Sequence, residues 1–224
     1  MADRLLARRL HLLQARLYGI LDLAYAPPAN LVGLGQAMIA GGVDVIQLRA
    51  KGLPPEELLA LAAKVKPIFA RNEALFIVND HADVAREADA DGLHIGQDDG
   101  TLADIRARLH TDQIVGRSTH SVEQAVAAEA EGADYLGVGP IFATPTKPDY
   151  TPVGLELIGQ VRKQVAREQF CIGGIKRENL RQVLAAGATR VVVVSGILQA
   201  GSLDEVTAYC RELKNMLETK AFLA

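Results

Sequence analysis

Two carboxylates, Asp80 and Asp99, follow closely on short apolar runs. Phe76, Ile77 and Val78 lead into Asn79 and Asp80, and Leu93 to Ile95 lead into Gly96, Gln97, Asp98 and Asp99. If the two runs are neighbouring strands, both carboxylates can converge on one point. Two carboxylates with waters and substrate oxygens are the usual way of holding Mg2+, a hard cation that wants octahedral oxygen ligands and keeps part of its hydration. Position alone leaves a second reading open, in which Asp80 caps one helix and Asp99 begins the next. Arg49 and Lys51, one run earlier, favour the metal, because a diphosphate chelated to Mg2+ needs cationic partners. His94 and His120 have no Cys or carboxylate companions at zinc-like spacing, so they are expected to pack or hydrogen-bond.

A second set of residues suits a phosphate. "CIGGIKREN" places Gly173 and Gly174 just after an apolar run, where backbone N–H groups could approach a ligand closely. "VVVVSGILQAG" follows with Ser195, Gly196 and a short apolar segment that reads as an extra helix, whose first turn would offer further N–H groups. Between the two sets lies "GPIFATPTKPDYTPVG", a loop with four prolines. Its length suggests a working loop rather than a plain connection, and Thr144, Thr146 and Lys147 supply hydroxyls and an ammonium for an oxygen-rich anion. One metal-assisted diphosphate site and one backbone-built phosphate site together exceed what a hydrolase needs. They fit a transferase, in which diphosphate leaves one substrate while a phosphate handle positions the other. Metal and cations stabilise the departing diphosphate, so no Ser-His-Asp nucleophile is required, and none is visible in the sequence.

Such sites need a scaffold that brings many strand ends to one place. Short β-rich runs recur at 16–22, 43–49, 74–79, 92–95, 113–118, 134–139, 169–173 and 190–195, each followed by a segment of helical period. "AGGVD", "AEGAD" and "AAGATR" end helices on Gly before the next strand, as a left-handed cap requires. Eight such units without a linker predict an α/β fold, a single (β/α)8 TIM barrel over 16–224, with an amphipathic helix over 1–15 leading into it. A doubly wound open sheet is the alternative, but none of the eight strands reads as an edge. Polar residues cluster after the strands, at Gln47, Arg49, Lys51, Asn79, Asp80, Gln97, Asp99, Ser118 and His120, while the opposite turns hold Gly, Ala and Asp. That one-sidedness is where a barrel carries its chemistry.

Composition narrows the setting. The 224 residues are 49% hydrophobic and 23% charged with a net charge of −3, a globular balance with no general attraction to nucleic acid or an anionic membrane. No apolar run reaches a membrane span, charges interrupt the leucines of the first fifteen residues, and Asp3 with the lack of serines there argues against an organelle leader. The two cysteines, Cys171 and Cys210, form no disulfide framework, and a reducing, cytoplasmic location is expected. A homo-oligomer is compatible with all of this.

Taken together and in order, "QLRAK" (47–51), "ND" (79–80), "HIGQDD" (94–99), "GRSTH" (116–120), "GVGPIFATPTK" (137–147), "IGGI" (172–175) and "VVSGI" (193–197) resemble the thiamine phosphate synthase family, from about Tyr18 to Leu198. The resemblance implies that 4-amino-2-methyl-5-hydroxymethylpyrimidine diphosphate condenses with a thiazole phosphate to give thiamine phosphate. Diphosphate would depart to leave a pyrimidinylmethyl cation, captured by the thiazole nitrogen. It further implies that Asp80 and Asp99 bind Mg2+, and that Gln47, Arg49, Lys51, Asn79, Ser118 and Lys147 contact the pyrimidine diphosphate, with Ser118, Lys147 and Arg49 closest to the chemistry. Thr144, Thr146, Gly174, Val194 and Ser195 would hold the thiazole phosphate. Two departures stand out: strand 1 ends "GILD" where the family usually shows Thr-Asp, and "VSGI" replaces a commoner Ser-Ala, which leaves Asp22 and Gly196 without an assigned role. Two rivals are a thiazole tautomerase of the same barrel family, against which Arg49, Lys51, Asp80, Asp99 and Lys147 argue, and a non-catalytic sensor of phosphate ligands.

Overall fold

Strands of three to six residues that are apolar on both faces can be stable only when both faces are covered, and this chain covers them by closing the sheet on itself. A computed structural model describes residues 2–71, 73–144 and 151–221. Eight parallel strands form a closed barrel in chain order: β1 (Leu17–Asp22), β2 (Val45–Arg49), β3 (Leu75–Asn79), β4 (Gly92–Ile95), β5 (Ile114–Thr119), β6 (Tyr135–Val138), β7 (Glu168–Cys171) and β8 (Val191–Val193). The β1–β8 pairing, Tyr18 opposite Val192, closes the ring and excludes the open sheet.

The outer layer comprises α2 (Leu31–Ala40), α3 (Pro55–Val65), α4 (Ala82–Glu87), α5 (Leu102–Arg108), α6 (Val122–Ala130), α7 (Glu156–Gln164), α8 (Leu180–Ala185), the short α9 (Ser195–Leu198) and α10 (Leu203–Ala221). Gly42, Gly132 and Gly187 take φ of 88°, 93° and 108° where α2, α6 and α8 give way to the next strand, a conformation that costs any other residue. No helix among the described residues is long and apolar enough to cross a membrane.

Alternation along the strands divides the apolar residues into two cores. Outward residues such as Leu21, Leu48, Phe76, Val78, Leu93 and Leu136 join the helices in one cluster. Inward residues Tyr18, Ile20, Val45, Leu75, Ile77, Ile114, Tyr135, Phe170 and Val192 fill the barrel, and Leu12 and Ala15 from the amino-terminal helix α1 (Ala2–Gln14) complete that filling from below. Three aspartates in the helix-to-strand turns hold this end together. Asp44 Oδ2 accepts from the N–H groups of Arg16 and Leu17 (2.7 and 2.9 Å), Asp91 Oδ2 from Phe76 (2.9 Å) and Asp134 Oδ2 from Val115 (2.8 Å). The same carboxylates anchor cations: Lys214 on Asp44, Arg8 on Asp91, and both Arg9 and Arg106 on Asp134. Arg8, 5% exposed, also reaches the Asp112 carboxylate at 3.0 Å, so α1 is fastened across the bottom of the barrel by paired charges.

Candidate active site

At the other end, the strands' last inward positions open into a pocket. Reading inward positions from bottom to top gives Val45–Gln47–Arg49 on β2, Leu75–Ile77–Asn79 on β3, Gly92–His94 on β4, Ile114–Gly116–Ser118 on β5 and Phe170–Ile172 on β7. On β2 to β5 apolar side chains therefore occupy the lower layers and polar ones the upper, while β7 stays apolar to its end. The pocket is lined by Gln47, Arg49, Asn79, His94 and Ser118 on one wall, and by Thr144, Gly173, Gly174, Val194 and Ser195 on the other. Tyr18, Ile20, Tyr135, Phe170 and Val192 make its floor. Thr146 and Lys147, expected at this mouth, lie outside the described residues.

The first wall is braced from outside the pocket. Arg49 lies opposite Asp22 in the β1–β2 register, and its Nη1 donates to Asp22 Oδ2 at 2.6 Å. Asp22 is 1% exposed and its other oxygen accepts from Ala24 N–H at 3.0 Å, so the carboxylate that meets the guanidinium is itself held by the backbone. On β5, Arg117 points away from the pocket and donates to the carbonyls of Gly100 and Gln97, fixing the loop that carries Asp99.

The two carboxylates sit at the rim, above the pocket wall. Asp80 N–H donates to the His94 carbonyl at 2.9 Å, which joins it to the end of β4, and its φ is 63°. A left-handed aspartate is uncommon, and such a conformation persists where its surroundings enforce it, often at a working site. Its Oδ2 pairs with Lys51, whose side chain is more than half exposed. Asp99 is exposed and its Oδ2 accepts from Gly96 N–H at 2.6 Å. Neither carboxylate caps a helix: the N-cap of α4 is His81 and that of α5 is Thr101, whose hydroxyl accepts from Asp104 N–H. The capping alternative is thereby removed for both.

The second wall is built from backbone. The β6 loop zips onto the β7 loop through Ile141 N–H to Ile172 O (2.8 Å) and Phe142 N–H to Gly173 O (3.0 Å). Gly173 and Gly174 have φ of 100° and 63°. A Cβ on Gly174 would lie 2.6 Å from the Ala143 carbonyl oxygen, so only glycine permits this close layering. Val194 and Ser195 carry the chain from β8 into α9, whose first turn leaves N–H groups without intrahelical acceptors. Gly196 also has a physical reason. An added Cβ would lie 2.6 Å from the Tyr209 hydroxyl, which itself accepts from Arg177 N–H at 2.9 Å.

Sequence reasoning passed over the floor. Tyr18 and Tyr135 are buried, and their hydroxyls meet at 3.1 Å. Burial pushes both phenols up from their ordinary range, Tyr18 despite opposing hydrogen bonds with Tyr135 and Gln47. Within "RLYGILD" and "DYLGVG" they read as ordinary strand residues; their inward parity, shared with Gln47 and Ser118, was the available signal. His94 bonds Ser118 Oγ at 2.9 Å and Tyr135 OH at 3.2 Å through its two nitrogens, and His120 bonds the Gly139 carbonyl, so both histidines are hydrogen-bonded.

Known proteins share this fold. The family profile described as thiamine monophosphate synthase matches residues 17–197. A thiamine-phosphate synthase of Halalkalibacterium halodurans is 42% identical over 206 residues, covering 92% of this chain and 96% of its own length. One of Gloeobacter violaceus is 44% identical over 207 residues; there the chain spans only 60% of the relative's length. In three dimensions, a thiamine phosphate pyrophosphorylase from Pyrococcus furiosus superimposes with a TM-score of 0.82 at 32% identity, covering 94% of this chain and 98% of that one. With the same barrel, a match from β1 through α9, and an identity above 40% to a relative of nearly equal length, the chain belongs to the thiamine monophosphate synthase family.

Proposed function

We propose that the chain joins 4-amino-2-methyl-5-hydroxymethylpyrimidine diphosphate to a thiazole phosphate, releasing diphosphate and forming thiamine phosphate. The observation that carries this reading is the two-walled pocket, with Gln47, Arg49, Asn79 and Ser118 facing Thr144, Gly174, Val194 and Ser195 across one cavity. A dissociative displacement needs a charged cradle for the leaving group, a fixed nucleophile opposite it and little water between them. Arg49, held by Asp22, and Ser118 suit the diphosphate, joined by Lys51 at the rim and Lys147 from the loop. Gln47 and Asn79 suit the polar edge of the pyrimidine. Thr144, Thr146 and the backbone around Gly174, Val194 and Ser195 suit the thiazole phosphate, and Ile20, Ile172 and Val192 give the reacting carbon an apolar surround.

The residues present fit Mg2+. Among the described residues no group of three or more His, Cys, Asp or Glu side chains could enclose a metal. Asp80 and Asp99 are hard oxygen donors at adjacent loops, each engaged through Oδ2 by Lys51 or by Gly96 N–H. That set is too small for a closed protein cage and suits a hydrated ion that arrives with phosphate oxygens. When bound, Mg2+ would neutralise charge developing on the departing diphosphate. The protein works on the same charge through Arg49, whose guanidinium is fixed before substrate arrives.

The test is to incubate the purified chain with both substrates and Mg2+ and detect thiamine phosphate by mass. Absence of product, with isomerisation of the thiazole alone, would replace the synthase reading by a tautomerase. Binding of both substrates without turnover would leave a sensor.

A further inference from the structure

Five inward-facing side chains on five strands touch in an unbroken line across the pocket floor. Gln47 Nε2 donates to the Tyr18 hydroxyl at 2.8 Å, Tyr18 and Tyr135 hydroxyls are 3.1 Å apart, Tyr135 OH is 3.2 Å from His94 Nδ1, and His94 Nε2 is 2.9 Å from Ser118 Oγ. All five line the pocket; Tyr18 and Tyr135, 1% and 0% exposed, lie in its floor, and Gln47 and Ser118 are the two ends of the line. The barrel makes room for this line. A Cβ on Gly116 would fall 2.1 Å from Tyr135 Cζ, and one on Gly137 would fall 3.3 Å from the His94 ring.

Proton counting makes the line directional. A phenol has one proton to donate, and a neutral imidazole donates from one nitrogen and accepts at the other. Because the Gln47 Nε2 group only donates, Tyr18 accepts from it and passes its own proton to Tyr135. Tyr135 in turn donates to His94 Nδ1. His94 then carries its proton on Nε2 and donates to Ser118 Oγ, which leaves the Ser118 proton for the pocket. At the other end, the Gln47 carbonyl oxygen is the group left to accept. The reversed order flips everything: Gln47 accepts, His94 is protonated on Nδ1, and Ser118 spends its proton on the histidine. A mixture would set two protons, or two lone pairs, against each other in a buried site. Burial keeps both phenols protonated, so neither breaks the line by ionising.

We propose that Tyr18 and Tyr135 are positioning residues that fix the His94 tautomer and thereby present the Gln47 carbonyl as an acceptor and the Ser118 hydroxyl as a donor. The ligand groups that read these ends rest on the function proposed above: the pyrimidine amino group needs an acceptor, and the anionic diphosphate needs a donor. The tautomer does not rest on it.

The test is nitrogen NMR on the full chain with 15N-labelled histidine at pH 8, with and without magnesium diphosphate, the His94 signals being assigned by their loss in His94→Gln. The wild type is expected to show the Nε2–H tautomer, and Tyr135→Phe a mixture of both. In kinetics, Tyr135→Phe lowers kcat about tenfold, equivalent to about 1.4 kcal/mol. Tyr18→Phe instead raises KM for the pyrimidine diphosphate about tenfold, and neither variant alters KM for the thiazole phosphate. A wild-type Nδ1–H tautomer, or an unchanged tautomer in Tyr135→Phe, overturns the relay. The expected tautomers in a chain that forms no thiamine phosphate would uphold the relay and sink the synthase reading instead.

Discussion

Replacing Asp22 by Asn tests whether a buried carboxylate outside the pocket organises the cation inside it. Asp22 is 1% exposed, and its Oδ2 takes the Arg49 guanidinium at 2.6 Å while Oδ1 takes the Ala24 N–H at 3.0 Å. Asp22→Asn keeps the shape and an acceptor for Ala24, but turns an amide N–H2 toward a guanidinium that can only donate. Removing one partner of a buried ion pair costs about 3–5 kcal/mol. Arg49 is 12% exposed at an open mouth, where water can take over part of the lost contact, so about 2 kcal/mol of stability is the expected loss. For a chain of this size that corresponds to a fall in Tm of about 4–8 °C. Freed from its partner, Arg49 loses its fixed position, and affinity for magnesium diphosphate should drop about tenfold, or about 1.4 kcal/mol. Thermal melts and isothermal titration with magnesium diphosphate measure the two effects separately. The opposite view is that Asp22 merely offsets positive charge, in which case its neutralisation should tighten diphosphate binding. Tighter binding with an unchanged Tm would refute the positioning argument.

Asp80→Ala and Asp99→Ala should each lower turnover at least about tenfold in Mg2+, and wild-type enzyme should lose activity in a chelator; full activity of either variant in chelator contradicts a shared metal site. Gly174→Ala must push against the Ala143 carbonyl and strain a left-handed residue, so KM for the thiazole phosphate should rise more than about tenfold with that for the pyrimidine little changed. Equal losses for both substrates would mean general damage to the barrel. Gly196→Ala should destabilise the chain on its own and cost much less in a Tyr209→Phe background, because that change removes the oxygen 2.6 Å from the new methyl; additive effects in a double-mutant cycle would exclude this contact as the cause. Burial pushes the Cys171 and Cys210 thiols from 9.0 up to about 12, so the folded state holds their protons more tightly than the unfolded chain does. The stability they contribute is present below pH 9 and is lost as pH rises toward 12, so urea midpoints should fall over that window, and fall less steeply in a Cys171→Ala, Cys210→Ala double variant.

Periodicity made the barrel legible, because a strand enclosed on both faces has to be a short apolar run. The run over 74–79 is β3, Leu75–Asn79, and the run over 92–95 is β4 without change. The rim was legible for a related reason: a polar residue at the end of such a run has no packing role, so Asn79, Asp80 and Asp99 drew attention as chemistry. What escaped was any role defined by a distant partner. Asp44, Asp91 and Asp134 read as turn residues, but each bridges a strand's backbone to a cation brought by α1, α5 or α10. Asp22 and Gly196 looked like departures from a family pattern until Arg49 and Tyr209 supplied their reasons. Tyr18 and Tyr135 were hidden because an inward tyrosine in a strand looks the same as apolar filling until its hydroxyl is located.

Helix α1 closes the lower end of the barrel with Leu12 and Ala15, and the charges of Arg8 and Arg9 fasten it there. Above it Val45, Leu75, Ile114, Tyr135 and Phe170 fill the barrel, so the pocket has a closed floor. Whatever settles against Gln47 and Tyr18 at its floor must arrive before anything occupies the mouth, and it can depart only after the mouth has cleared. A tube open at both ends would let two ligands enter in either order. A closed floor imposes a queue, and the order of binding and release follows from the packing of the lower barrel, on the side away from the chemistry.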